Sequence, residues 1–140
     1  MVDSSSALHI YDREIDSSER TSLSVLASHI PAGARVLDLG CGSGAIGRYL
    51  AQRDGAGTTV IDGLTISADE ARLAAPHYRR VEVADLDNAR LSDLFPAQGY
   101  DAIVCADVLE HIRQSPRVLA ECRQLLAPEG RLLLSIPNAG

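Results

Sequence analysis

The chain has no tryptophan, a single phenylalanine and only four tyrosines, so aromatic residues make up 4% of it. A nucleic-acid surface ordinarily combines a basic stripe with rings on which bases stack. Here rings are scarce, the formal net charge is −6, and Arg79-Arg80 is too short a basic run to make such a surface. Long hydrophobic runs are also missing: no apolar stretch approaches the roughly 20 residues of a membrane span, and Met1 to Ser6 has neither the basic nor the apolar character of a secretory leader. A cytoplasmic protein with no membrane partner is expected. Cysteine is sparse, and Cys41, Cys105 and Cys122 show neither metal-ligand spacing nor a pairing pattern. They are expected as reduced thiols packed like small apolar residues. The 140 residues, 46% hydrophobic, suffice for one core. Residues 1–16 read as a loose leader and residues 17–140 as one domain.

What the sequence does contain is an apolar strand breaking into glycines. Val36-Leu37-Asp38-Leu39-Gly40-Cys41-Gly42-Ser43-Gly44-Ala45-Ile46-Gly47 reads as strand, sharp turn and helix start, with Asp38 just ahead of the first glycine. Glycines at this spacing let the backbone reverse and let a ligand approach the main chain. Gly42-x-Gly44-x-x-Gly47 satisfies the dinucleotide fingerprint, and Asp62, about twenty residues further on, would then be the ribose acid of an NAD-dependent oxidoreductase. Asp38 opposes that reading. A diphosphate would lie on the N–H groups of the turn and the positive helix end, where a carboxylate repels it; a cationic ligand is suited to the same place. Apolar runs also finish at Asp62 (after Thr58 to Ile61), at Asp85 (after Val81 to Ala84) and at Asp107 (after Ala102 to Ala106). Open α/β sheets bind ligands outside the carboxyl ends of their strands. Four acids are therefore expected to rim one crevice, which suits a nucleoside carrying an ammonium and a sulfonium but no phosphates.

The rest of the chain alternates strand and helix. Leu23, Leu26, Ala27 and Ile30 recur at helical spacing before Pro31-Ala32-Gly33. Strand one is Arg35 to Leu39, and a helix follows from Gly44 to about Arg53. Strand two follows Gly55-Ala56-Gly57. Ser67-Ala68-Asp69-Glu70 is a capping-box pattern, serine accepting from the backbone and glutamate reaching back, and Pro76 limits that helix. Strand three is Val81 to Ala84, a short helix lies around Leu91 to Phe95, and strand four is Ala102 to Cys105. Ser115-Pro116 opens a helix with an apolar face of Val118, Leu119, Cys122, Leu125 and Leu126. Pro128-Glu129-Gly130 ends it, and strand five is Arg131 to Ile136. Such alternation builds a parallel sheet through right-handed crossovers, with helices on both faces.

These residues resemble the class I S-adenosylmethionine-dependent methyltransferases from about Ala32 to Asn138. Four blocks in order carry the resemblance: Val36 to Gly44, Val83-Ala84-Asp85-Leu86, Tyr100 to Ile112, and Leu126-Ala127-Pro128-Glu129-Gly130 with Ser135-Ile136-Pro137-Asn138. The chain is similar in kind to the methyltransferase domains found beside glycosyltransferases in bacterial surface-polysaccharide metabolism. The resemblance implies a Rossmann-like doubly wound parallel sheet of order 3-2-1-4-5, S-adenosylmethionine as cofactor, and transfer of a methyl group to an oxygen or nitrogen of a small-molecule or saccharide acceptor. It implies that Gly40, Cys41, Gly42 and Gly44 form the turn beside the methionine moiety, with Asp38 receiving its ammonium. Asp85 would accept from the adenine amine, Leu86 would pack on the ring, and Ala106, next to Asp107, would offer its carbonyl to the ammonium.

Two departures from the family pattern stand out. Where the second strand commonly ends in a carboxylate that grips the ribose hydroxyls, this chain has Thr65, followed by Ile66. One hydroxyl offers less than two carboxylate oxygens, so either Asp62 swings in through a bulge or cofactor affinity is reduced, and reduced affinity is the expectation. The sequence also stops just after strand five, where the family fold adds two strands and a helix. A piece of a larger polypeptide is therefore expected, with strand five as an edge open to pairing, in a dimer for instance. His111 is the candidate base, because imidazole titrates near neutrality and Asp107-Val108-Leu109-Glu110-His111 follows strand four. Asp107, Glu110 and His111 resemble a hard-metal cluster, but further convergent ligands would be needed, so no metal is expected. A degenerate, non-catalytic domain of the same fold is the alternative, favoured by Thr65 and the early stop.

Overall fold

The alternating pattern produces a five-stranded, all-parallel sheet of order β3-β2-β1-β4-β5. The structure, a computed structural model, describes residues 23–55, 57–106, 113 and 115–135. Its strands are β1 (Arg35–Leu39), β2 (Val60–Thr65), β3 (Arg80–Val83), β4 (Tyr100–Ala106) and β5 (Leu126–Ser135). Its helices are α1 (Ala45–Asp54), α2 (Ala68–Ala74), α3 (Leu91–Leu94) and α4 (Ser115–Leu125), with a 3-10 turn at Ala75–His77 and helical residues 23–27 ahead of β1.

Side chains alternate across a strand, and that alternation splits the apolar residues into two cores. Val36, Ile61, Ala102 and Val104 face one side, where they pack with Leu23 and Ala27 and with Ile46 and Leu50 of α1. Leu37, Leu39, Leu64, Ile103 and Cys105 face the other, against Leu91, Phe95, Val118, Cys122 and Leu125. Strands covered on both faces read as continuous apolar runs, as β1 and β4 do. All three cysteines are buried and unpaired by disulfides.

Three sequence expectations are corrected. Strand two does not end before Asp62 but continues to Thr65, with Asp62 in mid-strand opposite Leu37. Pro128-Glu129-Gly130 does not separate α4 from β5: the strand begins at Leu126, and residues 127–130 bulge out between the Tyr100–Leu126 and Ala102–Arg131 pairs. Gly130 is required in that bulge, because a Cβ there would lie 2.9 Å from both the Tyr100 carbonyl oxygen and Leu126 Cδ2. The capping box is half formed, with Ser67 Oγ accepting from Glu70 N at 3.2 Å. The Glu70 carboxylate is turned to Thr65 instead, whose hydroxyl donates to Glu70 Oε1 at 3.4 Å.

Candidate functional site

Parallel pairing in register sets Leu39 beside Leu64 on one flank and Cys105 on the other, so the segments leaving β1, β2 and β4 start from one edge of the sheet. The β1 segment is the tightest. Gly40, Gly42 and Gly44 have φ of 78°, 55° and 98°, a left-handed path that residues with a Cβ rarely follow. The turn is tied to β2, because Gly40 N and Cys41 N both donate to the Leu64 carbonyl, at 2.8 and 2.9 Å. It is clasped from α1 by the Arg48 guanidinium, which donates to the Ser43 carbonyl at 2.8 Å.

Asp38 does not rim a solvent-filled crevice. It lies beneath this turn, 1% exposed, on the face of β1 that it shares with Val36. The Tyr78 hydroxyl donates to Asp38 Oδ2 at 2.6 Å and accepts from Gly47 N at 3.1 Å. Among the described residues, Asp38 Oδ1 and the buried Ser43 Oγ have no hydrogen-bond partner. Burial pushes the Asp38 carboxyl up to about 7, while the Tyr78 hydrogen bond pulls the other way. Burial also pushes the neighbouring Cys41 thiol up, reinforced by the charges of Asp38 and Glu70. Cys41 is therefore a small packed residue of the turn, with no thiolate character.

Asp62 is not available to a ligand at this edge. It has no solvent exposure, and both oxygens are taken: Arg79 Nε donates to Oδ1 at 2.9 Å, while an Arg79 terminal nitrogen and the Tyr100 hydroxyl donate to Oδ2 at 2.6 and 2.5 Å. Burial works to raise its pKa, but Arg79 and Tyr100 together hold it below the ordinary carboxylate value. Asp62 therefore neither swings in to replace Thr65 nor serves as the ribose acid of a dinucleotide site. Thr65 itself, at the end of β2, is buried with its hydroxyl on Glu70. Ile66, the next residue, is 71% exposed.

Beyond β3, Asp85 is exposed and forms a local turn, its Oδ1 accepting from Asp87 N at 3.0 Å and its Oδ2 from Asn88 Nδ2 at 2.9 Å. Leu86 turns inward to the second core, while Ile66 faces solvent at this edge. Ala106 closes β4 opposite Ser135. Asp107, Glu110 and His111 lie outside the described residues. The turn, Thr65-Ile66, Asp85 and the end of β4 thus share one edge, while Asp62 is locked inside the sheet. Sequence reasoning missed Tyr78 and the inward role of Glu70. Tyr78 is separated from Asp38 by 40 residues, and nothing in the local pattern links them. The one available signal was glycine at 44, 47 and 63, where an added Cβ would come within 3.0 Å of the Tyr78 ring or closer.

A family model described as a methyltransferase domain matches residues 11–140. The ubiquinone biosynthesis O-methyltransferase of Xanthomonas axonopodis pv. citri is 37% identical over 111 residues, which are 77% of this chain and 45% of that protein. The chain thus spans less than half the length of this curated relative. Among solved structures, a TehB-like SAM-dependent methyltransferase from Corynebacterium glutamicum superimposes with a TM-score of 0.64 at 25% identity, over 80% of this chain and 59% of that one. Coclaurine N-methyltransferase, solved with N-methylheliamine and SAH, shares the fold with a TM-score of 0.72 at 24% identity, over 87% of this chain and 37% of its own.

Proposed function

The chain belongs to the methyltransferase domain family, of the class I S-adenosylmethionine-dependent kind, and from that premise we propose that it binds S-adenosylmethionine at the carboxyl edge of its sheet and supports methyl transfer to an oxygen of a small-molecule acceptor. The observation that carries the reading is the left-handed glycine turn over a buried carboxyl whose Oδ1 has no partner among the described residues. An acceptor held beneath such a turn favours a cation above it and disfavours a diphosphate. The residues present fit the group. Gly40, Cys41, Gly42 and Gly44 with Asp38 would hold its methionine end and Ile66 and Asp85 its adenine, with Leu86 packed behind and Ala106 and Asp107 closing the ammonium side. Thr65, its hydroxyl committed to Glu70, would give the ribose no side-chain acceptor, consistent with the reduced affinity expected from its sequence.

When bound, S-adenosylmethionine supplies a methyl carbon already activated by its sulfonium. The chain then has to align the acceptor and, where the acceptor must lose a proton, take that proton; His111 is proposed as the base. The oxygen acceptor follows the name of the 37% identical relative, and a saccharide hydroxyl is the second acceptor to assay. The oxidoreductase reading is not retained, since its ribose acid would be Asp62.

Calorimetric titration with S-adenosylhomocysteine and, separately, with NAD tests the cofactor. Heat for the first alone is expected. Heat for NAD alone, or for neither, would overturn the proposal. Transfer of labelled methyl to aromatic and saccharide hydroxyls, with amines as the contrast, then tests the acceptor.

A further inference from the structure

Tyr78 lies just ahead of β3, outside the segments of the site, yet it is wedged beneath the glycine turn. A Cβ at Gly47 would sit 2.3 Å from the ring's Cε1, one at Gly44 3.0 Å from the same atom, and one at Gly63 3.0 Å from Cδ2. Gly47 is thus cut back for this phenol alone, while Gly44 also makes room for Ala74 and Gly63 for Cys41 Sγ. Two of the three belong to the fingerprint that sequence reasoning assigned to a ligand. Gly47 is the third residue of α1, where an N-cap side chain would ordinarily accept a backbone N–H. The N-cap, Gly44, has no side chain, and the Tyr78 oxygen accepts that N–H instead. The same hydroxyl donates its own hydrogen bond to Asp38. The phenol therefore joins the positive end of α1 to the carboxyl under the turn, and accepting from the helix end strengthens it as a donor.

We propose that Tyr78 is a positioning residue for the cofactor: by bridging Gly47 N to Asp38 it holds the Asp38 carboxyl in place beneath the glycine turn and favours its charged form, and so sets how tightly that turn binds a cation. The role rests on the cofactor reading given above, but the hold on Asp38 is testable without any ligand. The titratable groups facing Asp38 are Tyr78 and Cys41 in the turn, with Glu70 acting on Cys41, while Cys105 on the opposite face of the sheet feels the Asp38 charge through it. Among the described residues no cation shifts Asp38, so the Tyr78 proton is its principal stabiliser. The Tyr78 hydroxyl is itself raised well above its usual range by burial and by Asp38, so it stays a donor throughout the accessible pH range.

The test follows the Asp38 carboxyl by carbon NMR through a pH titration of the ligand-free chain, with and without Tyr78→Phe. It is paired with S-adenosylhomocysteine titrations at low and high pH. The variant keeps the ring in its cradle and removes only the hydroxyl. We expect the Asp38 midpoint to move upward, with affinity falling about tenfold below the midpoint and little above it, since a hydrogen bond to a charged group is worth about that factor. A purely structural tyrosine would give one midpoint for both proteins and an equal loss at every pH; that result overturns the proposal. A moved midpoint with no ligand heat in either protein overturns the methyltransferase reading and leaves the Tyr78 hold standing. If Tyr78→Phe does not fold, Gly47→Ala displaces the ring while retaining the hydroxyl, and must raise the midpoint in the same direction.

Discussion

A carboxyl sealed from water destabilises the fold when it is charged, and Asp38 is such a group. Its folded value of about 7 lies above the ordinary 3.8, so between these values the folded chain keeps a proton that the unfolded chain has released. The stability tied to that proton is present below about pH 4 and lost as pH rises through about 7. Asp62 has the opposite sign, its stabilisation present above the unfolded value and lost in acid. The two acids should therefore part company when neutralised. Asp38→Asn is expected to weaken S-adenosylhomocysteine binding tenfold or more while leaving the chain as stable at pH 8, or up to about 3 kcal/mol more so. Asp62→Asn should lose about 1–3 kcal/mol and keep its affinity, the half-exposed Arg79 moderating the loss. Urea melts and calorimetry on both variants check this, and an equal fall in affinity would contradict the division of roles. That Asp38 belongs with the turn was legible from its position beside the glycines. That its partner is Tyr78 was not, because the contact is made by tertiary packing across three glycines.

At the scale of elements, apolar runs marked every strand, but charged and turn-forming residues misled at the boundaries. The apolar run stops at Asp62 because an acid in mid-strand is unfavourable unless paired; Arg79 and Tyr100, which pair it, lie 17 and 38 residues away, and only the family pattern put the strand's end at Thr65. Pro128 and Gly130 signalled a turn correctly in chemistry, but the turn is spent as a bulge within β5 rather than as a gap before it. The capping serine was legible because its partner is three residues off; the bond between Thr65 and Glu70 was hidden by the same motif, which assigns that glutamate elsewhere. The bulge makes its own prediction. Gly130→Ala should destabilise the chain by about 1–3 kcal/mol through overlap with the Tyr100 carbonyl and Leu126, without changing ligand affinity. A melting temperature equal to that of the parent chain would show that the bulge yields freely.

For the molecule as a whole, the parallel topology followed from alternation, because crossovers of one hand leave few arrangements for strands covered on both faces, whereas the strand order 3-2-1-4-5 came from the family resemblance. The pH dependence of stability is likewise collective. Asp54, Asp62 and Asp101 are held below the ordinary carboxylate value, respectively by Arg53, by Arg79 with Tyr100, and by Arg35, so acid removes their contributions. Asp38 removes stability toward neutrality. The ligand-free chain is expected to be most stable between about pH 4 and 6, and S-adenosylhomocysteine should shift that optimum upward, because its ammonium favours ionised Asp38. Thermal melts from pH 3 to 9 with and without the ligand check this; an unchanged optimum would contradict it. The excursion at residues 127–130 bears on the sheet in one more way. Sliding β5 by a single residue would exchange Leu132, which packs in one core, for Leu133, which packs in the other, and would drive a side chain into the gap only Gly130 can fill. That crowded corner acts as an alignment key: it admits one phase of the outermost ribbon against its neighbour and makes every slipped phase sterically void.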